Sequence, residues 1–131
     1  MKRWSILLLC IITLAAAQAA TVRPDLEVTN FRWEYRGPGI DANHMNAHCA
    51  GTLVNNSQTR YKYVLIEISI IDSRTNEKLE RVQQAILQNV APGDKCQFLA
   101  KPPICVRMGT PRQPYKNPYI GRIDRIKGYP E

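Results

Sequence analysis

Residues 61–71, YKYVLIEISII, constrain this chain more than any other stretch. β-Branched and aromatic residues fill it, with no glycine or proline to interrupt them, which is the composition of a strand. Val64, Ile66, Ile68 and Ile70 share one face, and Leu65, Glu67, Ser69 and Ile71 take the other. A helix here would bury Glu67 or leave half of the isoleucines in water, so the segment reads as a strand.

Strand and turn alternate around it. Residues 25–35 carry Leu26, Val28, Phe31 and Trp33 and suit a first strand, broken by Gly37-Pro38-Gly39. A polar loop runs to Asn46. Residues 48–54 form a second strand, stopped by Asn55-Asn56-Ser57, which we read as a turn rather than a glycosylation site. Residues 72–76 are a turn. Residues 79–90 are ambiguous: Leu79, Val82, Ile86, Leu87 and Val90 fit a helical stripe, whereas Val82, Ile86 and Val90 also fall on one side of a strand. Propensity alone leans to helix. Pro92-Gly93-Asp94 marks a turn, residues 95–100 another strand, and Lys101-Pro102-Pro103 a stop. Six of the nine prolines lie from Pro102 onward, so residues 107–131 are expected to form an extended, partly ordered tail. Short strands at such spacing predict an all-β fold, a small antiparallel sandwich over residues 21–106.

Residues 1–20 read as a secretory signal peptide. Lys2 and Arg3 form a positive start, residues 4–14 an apolar run, and residues 15–20 a small-residue cleavage region. The run falls short of the roughly 20 apolar residues that cross a bilayer, and Cys10 sits among leucines where a lipobox needs small residues. Cleavage after Ala19 or Ala20 leaves a periplasmic or secreted chain of about 111 residues with no transmembrane helix, one domain by length. Without Lys2 and Arg3, 16 basic residues stand against 11 acidic ones, a net charge near +5. Residues 107–131 hold six of those basic residues and two of the acidic ones, which locates any electrostatic partner there.

Three stretches, in order, resemble the FxLYD domain family. Gly51-Thr52-Leu53-Val54-Asn55-Asn56-Ser57 is similar to its G-x-V-x-N-x-S segment. Residues 64–72 are similar to its long strand, and residues 91–98 to its P-G-[ED]-x-x-x-F entry to a late strand. The naming motif falls on Ile68, Ile70 and Ile71, with only its Asp kept, as Asp72. The resemblance spans residues 26–100 and implies a small exported immunoglobulin-like sandwich with a strand over 79–90. The matched residues Gly51, Asn55, Asp72, Pro92, Gly93 and Phe98 are then structural. Gly51 admits a close neighbour, Asn55 bonds turn backbone, and Asp72 accepts turn amides.

Exported cysteines are expected to pair, and Cys49, Cys96 and Cys105 allow one disulfide. Cys96 and Cys105 flank Pro102-Pro103, a turn that would set them opposite one another. Strand parity offers an alternative: Cys49 shares a face with Leu53 and Cys96 with Phe98, so both point inward if those residues are core and would bridge the sandwich. The spacings do not resemble a zinc ribbon, and no C-x-x-C occurs.

Asp41, His44, Met45, His48 and Cys49 include ligand types that suit copper in an exported protein. Along a strand, however, His44 and His48 would stand about 13 Å apart, too far to share one ion. We therefore expect no cofactor. In the tail, Arg112, Lys116, Arg122, Arg125 and Lys127 interleave with Tyr115, Tyr119 and Tyr129, a pattern for binding an envelope protein or an anionic envelope component; export argues against nucleic acid. No nucleophile elbow and no H-E-x-x-H are present. The expected function is a non-catalytic interaction or assembly module of the bacterial cell envelope. The alternatives are a periplasmic copper-binding accessory protein and, behind it, a hydrolase or a thiol enzyme pairing Cys49 with His44 or His48.

Overall fold

A computed structural model describes residues 23–131 apart from 42, 111 and 115; the segment expected to be a signal peptide lies outside them. The described residues form β1 (Leu26–Pro38), β2 (His44–Asn55), β3 (Tyr61–Asp72), β4 (Glu77–Val90), β5 (Lys95–Leu99), β6 (Ile104–Arg107), β7 (Gly109–Thr110), β8 (Gln113–Pro114) and β9 (Tyr119–Pro130), with no helix among them. One sheet runs β1-β2-β5, with β6 also paired to β2; the second runs β4-β3-β9. All pairings are antiparallel, and β7 and β8 form a small separate hairpin. The chain is an all-β sandwich.

Val64, Ile66, Ile68 and Ile70 of β3 are fully buried and form the centre of the core. Each such side chain contributes roughly 1.5–3 kcal/mol by leaving water. Beside them on the same face lie Leu87, Ala85 and Gln83 of β4 and Ile126 and Ile123 of β9. Leu53, Cys49 and Ala47 of β2, Phe98 of β5, and Ile104 and Val106 of β6 pack into the same cluster.

Irregularities decide which residues face inward. In β1 the register shifts between Thr29 and Arg32, where Asn30 takes φ 53°. That bulge reverses the alternation, so Leu26 and Val28 before it and Phe31, Trp33 and Tyr35 after it all pack on the core. In β4 Asn89 takes φ 54°, and Val90 turns fully inward although Gln88 is exposed. Asparagine tolerates this left-handed backbone better than most residues. In β9 the shift between the partners of Glu67 and Ile68 leaves Asp124 as the extra residue, which keeps Ile123 and Ile126 both on the core.

Residues 79–90, helical by propensity, are a strand because β3 supplies a hydrogen-bonding edge along their length. Two residues of the helical stripe, Val82 and Ile86, face outward and are exposed. The expected boundary at residue 106, with a tail beyond it, is corrected by β9. This strand pairs with β3 from Asp72↔Tyr119 to Tyr61↔Pro130 and makes β3 the central strand of its sheet. The prolines that suggested a tail stop at Pro118 and resume at Pro130, so the strand between them keeps every amide donor.

The Lys101-Pro102-Pro103 stop is a detour rather than a reversal. β5 pairs with residues 50–54 of β2, and β6 continues in the same direction along residues 44–47. Backbone at Cys49 and Ala47, left open by the detour, is met by Gln83 from the opposite sheet. Its Oε1 accepts from Cys49 N (2.8 Å) and its Nε2 donates to Ala47 O (3.0 Å), so a side-chain amide stands in for the missing strand. Gln84 and Lys101 exchange two backbone hydrogen bonds (2.8 and 2.9 Å) and join the sheets along that side. Trp33 Nε1 donates to Tyr119 O (3.0 Å) across the other side, between β1 and β9.

Candidate partner-binding face

Pairing across β4-β3-β9 places side chains of the outward face in rows: Gln88, Tyr63 and Tyr129; Ile86, Leu65 and Lys127; Gln84, Glu67 and Arg125; Val82, Ser69 and Arg122; Lys78, Ile71 and Ile120. The first two rows make an apolar patch. Ile86 is 64% exposed and Tyr63 and Tyr129 each 39%, and their adjacency in register makes the exposure contiguous rather than scattered. A shallow depression of about 390 Å³ is lined by Tyr63, Leu65, Ile86, Gln88 and Tyr129. The two tyrosine rings meet edge to face, 6.4 Å between centroids. Lys127 Nζ lies 5.0 Å from the Tyr129 ring centre and Lys62 Nζ 5.5 Å from that of Tyr63. Rings are therefore flanked by cations on both strands.

The remaining rows are basic. Lys78, Arg122 and Arg125 stand against Glu67 in these rows, with Asp124 in the β9 bulge. Glu67 faces Arg125 at 3.9 Å, a distance that leaves the guanidinium's donors largely for other partners. Asp124 accepts from the Ser69 hydroxyl and from Arg122 Nε (3.0 Å) and lies 3.8 Å from Lys78 Nζ. The Ser69 hydroxyl, then Arg122, hold its carboxyl below the usual range. Asp124 pins the bulge and fixes Arg122 on this face.

Three of the tail residues expected to bind a partner, Arg122, Arg125 and Lys127, thus share one face. Tyr119 does not: it packs against the core. Arg112 is exposed beside the β7–β8 turn, Lys116 is exposed in the loop before β9, and Tyr115 lies outside the described residues. Tyr63, Leu65 and Ile86, which complete the patch, were not singled out from the sequence. Their alternation with buried isoleucines is visible there, but both faces of β3 are apolar enough to be covered.

The disulfide expectations are corrected. Among the described residues Cys49, Cys96 and Cys105 are all free thiols. Cys96 sits opposite Leu53 and Cys105 opposite Asn46, seven residues apart along β2. That is about 23 Å, against a Cα separation below about 7 Å for a bridge. Cys49 and Cys96 belong to the same sheet, so neither spans the sandwich. Burial pushes the Cys49 thiol up to about 12, which removes it as a nucleophile at neutral pH.

The candidate metal ligands serve separate contacts. His44 Nδ1 pairs with Asp41 Oδ1 (2.8 Å), whereas buried His48 donates from Nδ1 to Ala100 O (2.8 Å). Met45 is half-buried opposite Val106, and Cys49 lies in the core. Among the described residues no group of three or more His, Cys, Asp or Glu gathers around a common point.

The motif residues lie at turns and close approaches. Buried Asn55 donates from Nδ2 to Thr59 O (2.8 Å) and Ala91 O (3.1 Å) and accepts from Ser57 at Oδ1, tying the β2–β3 and β4–β5 turns together. Gly93, after Pro92, takes φ 80° in the second of these turns. A methyl group on Gly51 would sit 3.1 Å from both the Phe98 ring and Val28. Asp72 Oδ1 accepts from Arg74 N (2.9 Å) at the β3–β4 turn, and its carboxyl is lowered to about 2, first by the Arg74 guanidinium and then by that amide.

Comparison with protein-family models, curated proteins and solved structures finds no match to this chain. Its site is read from its own chemistry.

Proposed function

We propose that this chain is an exported, non-catalytic β-sandwich of the bacterial cell envelope that captures an acidic segment of a partner protein on the outer face of β4-β3-β9. The observation that carries the reading is the exposed Tyr63–Leu65–Ile86–Tyr129 patch with Lys62 and Lys127 beside its rings. Aromatic residues that bury large area at low entropic cost, next to cations, are the composition of interface centres. Lys78, Arg122 and Arg125 extend a positive field across the rest of the face and favour carboxylates over lysines in a partner. Export rests on the charge, apolar and small-residue order of residues 1–20, and the FxLYD resemblance of residues 51–57, 64–72 and 91–98 is part of the same proposal.

The test is capture from envelope extract at about 50 and 200 mM salt by the native chain and by Ile86→Asp, an exposed position that adds a like charge for an acidic partner. The reading expects a protein held by the native chain, weakened by salt and lost from the variant. Equal capture by both chains at both salts would contradict it.

A further inference from the structure

A cavity of about 510 Å³ opens between the start of β2, the end of β6, the β3–β4 turn and the loop leading to β9. Arg74, Arg107 and Lys116 line it together with His44, Cys105 and Tyr119, and no carboxylate lines it among the described residues. The acidic neighbours are each paired with a lining residue, Asp72 bonded to Arg74 Nη2 and Asp41 to His44 Nδ1, each at 2.8 Å. Three segments distant in sequence thus bring cations around one opening.

The thiol in that opening is that of Cys105. Its neighbours Ile104 and Val106 are buried while Cys105 is exposed, so the alternation of β6 turns the thiol outward. Asn46 opposite Cys105 and His44 opposite Arg107 put the thiol and the imidazole on one face as diagonal neighbours. Gly39 makes room for them: a methyl group there would lie 2.6 Å from Cys105 Sγ and 2.9 Å from His44 Cβ. Asp41 is held below the usual carboxylate range, first by His44 and then by the Asn43 amide, so it is ionised and can only accept. His44 Nδ1 therefore donates to Asp41, which leaves Nε2 as the ring nitrogen not engaged by that carboxylate.

We propose that Cys105 is a thiol–disulfide exchange site whose cationic cavity selects small disulfides bearing carboxylates. The Cys105 thiol gives its proton to His44 Nε2 or to water, and its sulfur attacks one sulfur of the incoming disulfide. A Cys105 Sγ–S bond forms as the S–S bond of the reagent breaks. The departing sulfur leaves as a thiolate that takes up a proton, so Cys105 is oxidised to a mixed disulfide and the leaving half is reduced to a thiol. Arg74, Arg107 and Lys116 raise the local concentration of an anionic reagent and repel a cationic one. The adduct is a covalent modification at the opposite end of the chain's pairing from the Tyr63–Tyr129 row, and it is independent of partner capture there.

The test treats the reduced whole chain with glutathione disulfide, an anionic reagent, and with cystamine, a cationic one. Adducts are followed at each cysteine by mass spectrometry, and each rate is divided by that of the same reagent with 2-mercaptoethanol. Cys105 is expected to react before Cys96, and at least about tenfold faster with the anionic reagent at low salt. That preference is expected to shrink toward one at high salt and in Lys116→Glu. Equal or reversed reagent preference, a preference unmoved in Lys116→Glu, or a first adduct on Cys96 would overturn the assignment.

Discussion

Gln83 is 1% exposed, and its amide holds the backbone of a strand in the other sheet at two points. A leucine of similar size would leave Cys49 N and Ala47 O buried without partners, at about 1–3 kcal/mol for each group. Gln83→Leu is therefore expected to lower stability by about 2–6 kcal/mol in urea unfolding, and a loss below about 0.5 kcal/mol would mean that water or a shifted strand replaces the amide. No sequence signal marked this residue, because a glutamine in an alternating strand reads as surface. Asp72 gives a pH test. Its carboxyl is about 2 in the folded chain against 3.8 ordinarily, so the unfolded chain binds the proton first as pH falls. The stabilisation is fully present above about pH 4 and is lost toward pH 2. Melting temperatures of the native chain and Asp72→Asn are expected to differ at pH 5 and to converge near pH 2; a constant gap would contradict the Arg74 pairing.

At the scale of the strands, β3 is legible from its sequence because its isoleucines alternate over an uninterrupted run. β9 is less so. Its residues 119–129 contain no proline, and Ile120, Ile123 and Ile126 are present, but their spacing of three breaks the alternation. The bulge at Asp124 reconciles that spacing with a strand. The shift at Asn30 and the left-handed backbone at Asn89 re-aim Phe31, Trp33, Tyr35 and Val90, and sequence parity does not reveal where such irregularities fall. Prolines misled at residues 101–103, where the chain steps around a gap and resumes beside the same partner. Because β9 covers one side of β3 along its length, deleting residues 119–131 is expected to abolish the cooperative thermal transition in far-UV circular dichroism. A truncated chain that still melts cooperatively would show that β9 is dispensable.

Across the whole molecule, the two sheets bury one set of faces and are joined along both sides, at Gln84–Lys101 and at Trp33–Tyr119. That closure leaves the outer face of β4-β3-β9 as a broad surface that is both apolar and basic. Its charged half was visible in the sequence through Arg122, Arg125 and Lys127; all of its apolar half but Tyr129 comes from β3 and β4, far from those residues in the chain. The central claim is that this face meets an acidic partner. The direct measurement is photo-crosslinking in envelope extract from a probe at Gln88, which lines the depression, and from one at exposed Gln97 on β5 of the other sheet. The account predicts a salt-sensitive protein adduct from position 88 and none from position 97. An adduct from position 97 alone would move the binding surface to the other sheet and contradict it.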